Sequence, residues 1–244
     1  MSRNRMLSEA TTAVAKGQAQ PTGRVLALPD VLIKTAACLT VVIVAAVPGA
    51  IFLASSFILY LGILIVTMIV GVLMMRRAPV HPALALGYSA LLGLIVGGFT
   101  SSAVAYGGNV AIIPQAVVGT AAGTIGMLAL YATPFGRKAS RSTRLFVGML
   151  IGYFIIGVVS ALSAIFFGAG SGWGIYGMGP FGLLLCLAGV ALASWSLLID
   201  IGQTDRALNM QVDASYDWTF GVSLAASIVW LYLEILRLLG IAGR

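Results

Sequence analysis

The sequence predicts an all-α polytopic membrane protein, a bundle of seven transmembrane helices. Three observations carry that reading. About 60% of the 244 residues are hydrophobic, and seven apolar stretches recur along the chain. Only 9% of the residues are charged, against about 25% in an ordinary soluble domain. The mean hydropathy is +1.05. Charge this sparse cannot cover a soluble globule of that apolar content, whereas seven helices of about 20 residues use roughly 140 residues.

Residues 1–29 form a polar tail holding Arg3, Arg5, Lys16 and Arg24. A cleaved signal peptide is not expected, because no apolar region directly follows the basic one. The composition reads as a disordered cytoplasmic tail, with the membrane domain covering 30–244.

From Val31 onward the spans are read near 31–48, 51–75, 83–104, 111–134, 144–168, 180–202 and 217–240. Pro48-Gly49 divides the first two into a tight hairpin. Arg76-Arg77-Ala78-Pro79 ends the second, since the residue before a proline disfavours helix. Gly107-Gly108-Asn109, Pro134-Phe135-Gly136 and the glycine-rich run from Gly168 to Pro180 make the next three breaks. The sixth, 202–215, is polar and carries Asp205, Arg206 and Asp213. The last segment reads equally as a full span or a re-entrant helix.

Charge fixes an expected orientation. Five of the fourteen basic residues lie in the tail through Lys34, two at Arg76-Arg77, four at Arg137, Lys138, Arg141 and Arg144, and one at Arg206. The first, third and fifth breaks hold none. These groups share one side, which the positive-inside rule makes cytoplasmic, together with the N-terminus. The net charge of +7 is thereby explained without nucleic acid, and the 137–144 cluster can also touch anionic lipid.

Glycines four residues apart recur at Gly93/Gly97, Gly119/Gly123 and Gly148/Gly152, a spacing that lets membrane helices approach closely. Enzyme chemistries fare poorly, and no enzymatic activity or cofactor is expected. The single histidine, His81, and the two cysteines, Cys38 and Cys186, supply neither a zinc motif nor a thiolate cluster. A G-x-S-x-G elbow, a phosphate loop and an intramembrane G-x-G-D motif are all absent.

Of the seven acids, only Asp200 and Glu234 sit within strongly apolar sequence. An acid at mid-span costs about 2.5–3.5 kcal/mol, so it faces a partner or a wet cavity. Gly182, Gly189, Ala193, Ser196 and Asp200 share one helical face, and Ser223, Ser227, Trp230 and Glu234 share another. If the stripes meet, the two carboxylates can share one proton and titrate as a unit, which is the chemistry of a pH sensor. They also offer hard oxygens to calcium. Simpler roles compete: Glu234 and Arg237 fit an intrahelical ion pair, Asp200 fits a solvated helix end, and Arg76 and Arg77 fit topogenic charges.

The closing string WLYLEILRLL (230–239), preceded by YDW (216–218) and LLID (197–200), resembles the Bax inhibitor, or transmembrane Bax-inhibitor-motif, family, in its bacterial branch. PDVLIKTA (29–36), PALALGYSALLGLIVGG (82–98) and GMLALY (126–131) resemble that branch too. The similarity runs from about residue 25 and leaves the tail uncovered.

The resemblance implies a seven-helix bundle with a central C-terminal helix, placed in the bacterial inner membrane. It further implies a pH-sensitive calcium leak gated by Asp200 and Glu234 as proton sensors, with Arg76 as a latch on the pair. It equally permits a non-transporting regulator or partner of a membrane protease or of a stress response.

The chain departs from the better-understood relatives in three respects. It has Glu234 where they have Asp, a longer segment between the acids, and no Glu within the third helix. Counting from Tyr216, Glu234 lies about 27 Å along the last helix. The acids therefore meet only if the sixth helix runs past 202 or the last one starts outside the lipid or re-enters.

Overall fold

The computed structural model describes residues 23–53, 56–107, 109–168, 174–177 and 179–243. Most of the polar tail, and Gly108 of the third expected break, lie outside them. Among the described residues eight α-helices follow in order: α1 Leu28–Phe52, α2 Phe57–Arg76, α3 Pro82–Gly107, α4 Ile112–Ala132, α5 Pro134–Ala139, α6 Thr143–Phe167, α7 Gly179–Asn209 and α8 Asp217–Ala242. Seven are long and apolar enough to cross a membrane, all but α5. The chain is an all-α polytopic membrane protein. Large apolar side chains such as Ile58, Val118, Phe166 and Leu184 face outward, as a lipid solvent allows.

Three boundaries differ from the sequence reading. Helix α1 does not stop at Pro48 but carries it to Phe52. A proline inside a membrane helix is tolerated where neighbouring groups re-satisfy the freed backbone. The helix ends instead at Phe52, and the Ser56 Oγ accepts from the Leu59 N–H at 3.4 Å and caps α2. The expected Pro134 break contains the short helix α5, whose N-terminal Gly136 N–H is capped by the Thr133 Oγ at 3.1 Å. Helix α7 continues seven residues past 202, its polar end packed through buried Gln203, Thr204 and Ala207.

The chain divides into two compact units, each made of two separate stretches of sequence, with the divisions falling inside α3, α7 and α8. The first comprises residues 1–101 and 200–229. Here α1 and α3 press backbone to backbone. A Cβ on Gly93 would run into Val42, one on Gly97 into Ala46, and one on Gly49 into Leu94. Cys38, Met74, Val80, Ala85, Val222 and Ala225 form a buried apolar cluster.

Polar ties close the ends of this unit. The Val80 N–H donates to the Thr219 Oγ at 3.0 Å, and Lys34 lies 4.8 Å from the Trp218 ring centroid. The last part of the tail is also fixed. The Leu26 N–H donates to the Val212 carbonyl at 2.8 Å, and the Ala214 N–H to the Arg24 carbonyl at 3.0 Å.

The second unit comprises residues 102–199 and 230–244. Gly119 and Gly123 of α4 face Ile235 and Leu231 of α8, where an added Cβ would stand 3.3 and 3.1 Å from those side chains. The third glycine pair behaves otherwise. Gly148 and Gly152 of α6 have nothing within 4 Å of an added Cβ, so their spacing marks an open face and not a packed one. Phe146, Leu192 and Ile199 form the apolar core, with Leu150, Tyr153, Trp195 and Trp230 around it.

Candidate functional site

In the first unit Asp200 is presented by α7, and the facing turns of α8 present Ser223 and Ser227. The Ser223 hydroxyl donates to the Asp200 Oδ1 at 2.9 Å and the Ser227 hydroxyl to the Oδ2 at 2.5 Å. The Asp200 carbonyl accepts from the Thr204 hydroxyl at 2.9 Å, a side-chain bond to the preceding turn of α7. Asp200 is therefore not an idle solvated helix end. It is partly buried, and among the described residues its carboxylate has no cation beside it. Both oxygens are held by neutral hydroxyls.

Arg76 ends α2, exposed beside Met68, Ile69, Val72 and Leu73 of its own helix. No described hydrogen bond or ion pair brings it to Asp200.

In the second unit Glu234 is 2% exposed on α8 and densely partnered. The Arg237 Nη1 lies 3.0 Å from Oε1 and 2.8 Å from Oε2, the i,i+3 ion pair that the spacing allows. The Trp230 Nε1–H donates to Oε1 at 3.0 Å and the Tyr153 hydroxyl to Oε2 at 2.8 Å. Tyr153 also accepts from the Arg237 Nη1 at 3.0 Å. The guanidinium stacks over the Tyr176 ring at 4.8 Å, and Tyr176 meets Tyr153 edge to face at 6.3 Å. Tyr176 belongs to the short turn before α7, and burial pushes its phenol above the ordinary range, so it remains a neutral ring under the cation.

Gly189 of α7 makes room for this cluster, since a Cβ there would collide with the Tyr153 hydroxyl and the Glu234 carboxylate. Each acid thus meets a small or hydroxyl residue of the opposite stripe. Asp200 on α7 meets Ser223 and Ser227 of α8, and Glu234 on α8 meets Gly189 of α7. At these positions residues of the two stripes face each other within each unit. The hydrogen bonds of the two carboxylates go to different partners, in different units.

Arg237 enters the sequence reading only as a competing partner for Glu234, and Tyr153 and Tyr176 do not enter it. No short-range signal marks the tyrosines. Among the described residues no group of three or more His, Cys, Asp or Glu gathers to hold a metal ion.

No curated protein matches the chain. The family model described as "Bax inhibitor 1 like" matches residues 4–244. It reaches about twenty residues further into the tail than the strings that carry the resemblance. A seven-span helical chain, two carboxylates set in its last two spans and a match over essentially its whole length lead to one assignment: the chain belongs to the Bax inhibitor 1 like family.

Proposed function

We propose that the chain is a pH-responsive leak for calcium or another cation in a bacterial inner membrane, with its N-terminus cytoplasmic and no catalytic activity. The Asp200 station carries this reading. An ionised carboxylate within a membrane-spanning helix is costly without a partner of opposite charge, and the described partners of Asp200 are the hydroxyls of Ser223 and Ser227. As a carboxylate it only accepts. Once protonated, one oxygen becomes a donor, and the serine on that side has to turn. Proton uptake is thereby coupled to the α7–α8 contact within one unit, a local charge event biasing a packed element.

In this reading Glu234 is the second acid, held by Arg237. Arg76, exposed at the end of α2 and bonded to neither acid here, is the cation that would latch the pair in a second arrangement of the helices, and protonation would weaken that latch. The family and the seven spans support a channel or transporter class, and the clustering of Lys and Arg at alternate breaks supports the orientation.

The test is calcium flux into liposomes holding the purified protein, scanned from about pH 5 to 8, the window in which physiological pH switches act. Flux above empty liposomes that varies with pH, and loses that variation in Asp200→Asn, is the expected result. Unchanged flux in both Asp200→Asn and Glu234→Gln rejects the sensor assignment. No flux at any pH from folded protein rejects the leak and leaves the regulator of a membrane protease or stress response as the reading.

A further inference from the structure

The segment joining α4 to α6 bears four cations, Arg137, Lys138, Arg141 and Arg144, within eight residues, all exposed. No acid occurs anywhere between residues 102 and 199. The one acid of the second unit, Glu234, is already paired with Arg237. Among the described residues none of the four cations has a carboxylate partner. The described polar contact of the group is the Arg137 guanidinium donating to the Ala132 carbonyl at 3.0 Å. Among the described residues, then, the segment is a cluster of cations with no acid of the chain beside it.

The segment is also built as a rigid platform. Thr133 caps α5 through the Gly136 N–H. Gly136 is buried and packs so close to Leu130 that a Cβ would strike its carbonyl. The Ser140 hydroxyl is buried and donates to the Arg137 carbonyl at 2.9 Å. From α7 the Trp195 Nε1–H donates to the Ala139 carbonyl at 3.2 Å, and the Trp195 ring meets Phe146 edge to face at 6.0 Å. With the underside fixed, the outer side presents the cations together with two bare apolar side chains, Phe135 at 70% and Leu145 at 60% exposure.

Phe135 and Leu145 thus stand exposed beside four cations, two of them on α5. A membrane interface suits that combination, since aromatic rings settle at headgroup depth and basic residues meet anionic phosphate there. The segment lies where two membrane-spanning helices end, at Ala132 and Thr143.

We infer that residues 135–145 form a binding surface for anionic phospholipid headgroups. Arg137, Lys138, Arg141 and Arg144 take the phosphates, and Phe135 and Leu145 enter the acyl boundary. This inference does not depend on the leak.

The test titrates detergent-purified full-length protein with phosphatidylglycerol or phosphatidylcholine and counts bound lipid by native mass spectrometry. Wild-type protein is expected to prefer phosphatidylglycerol, and added salt is expected to erode the preference. Each neutralised cation should weaken phosphatidylglycerol binding about fivefold, so Arg137→Gln/Lys138→Gln should lose more than tenfold while Arg137→Lys/Lys138→Arg keeps wild-type affinity. Phe135→Ala should weaken lipid binding and leave binding of inorganic phosphate unchanged.

Equal binding of the two lipids by wild-type protein would overturn the inference, as would a preference that salt does not touch. The salt series needs no variant and stands even if the neutralised proteins fail to fold. Tighter binding of a soluble polyglutamate peptide than of phosphatidylglycerol would also overturn it, by assigning the surface to an acidic protein segment.

Discussion

Removing the Arg237 guanidinium tests whether the Glu234 cluster is a true buried ion pair. In Arg237→Gln the Glu234 carboxylate, 2% exposed, keeps Tyr153 at 2.8 Å and Trp230 at 3.0 Å but loses its counter-charge. Breaking a buried pair from one side costs about 3–5 kcal/mol. The Arg237 side chain is 21% exposed, so screening places the expected cost at the lower end, about 3 kcal/mol, or roughly a hundredfold in the unfolding equilibrium.

The reverse change is milder. In Glu234→Gln the arginine can extend its head toward the polar boundary along its apolar stem, and the loss is about 1–2 kcal/mol, near that of one charge-assisted hydrogen bond. The double variant carries neither charge and should lie within about 1 kcal/mol of wild type, giving a coupling energy of about 3 kcal/mol or more.

The assay is equilibrium unfolding of the four proteins in mixed micelles. Two results refute the reasoning. One is an Arg237→Gln protein within 1 kcal/mol of wild type, and the other is a double variant whose loss equals the sum of the single losses.

Two further predictions concern packing and the first carboxylate. Gly97→Val forces a side chain against the α1 backbone at Ala46 and Ala50 and should cost about 1–3 kcal/mol. Gly148→Val faces open space and should stay within about 0.5 kcal/mol, a contrast that melting temperatures in one detergent would show. Ser227→Ala removes the Oδ2 bond to Asp200 and should cost about 1.5–3 kcal/mol at neutral pH, read by the same micelle unfolding. An unchanged stability would mean that the serine does not hold the carboxylate.

The seven spans were legible because lipid offers no hydrogen bonds to a backbone, so each crossing must be one long apolar helix. The same force made the seven-span class independent of tertiary detail. Boundaries were less legible. Pro48-Gly49 has the composition of a turn, yet Gly49 is where α3 packs against the α1 backbone, and the helix runs on.

Glycine spacing likewise defines a face but not what the face meets, which is why Gly93/Gly97 pack while Gly148/Gly152 look outward. Charge spacing was more informative over short range. The Glu234–Arg237 pair follows from one helical turn, and the two acid-bearing stripes follow from the 3.6-residue period.

What only the tertiary structure decided is the partnering of those stripes. Tyr153 reaches Glu234 across 81 residues of sequence, and Ser223 and Ser227, not the other acid, occupy the place opposite Asp200. A sequence period specifies rotation about a helix axis, whereas the height at which two helices meet depends on where each begins and how close its neighbours let it come. That height assigned an arginine to one acid and two hydroxyls to the other.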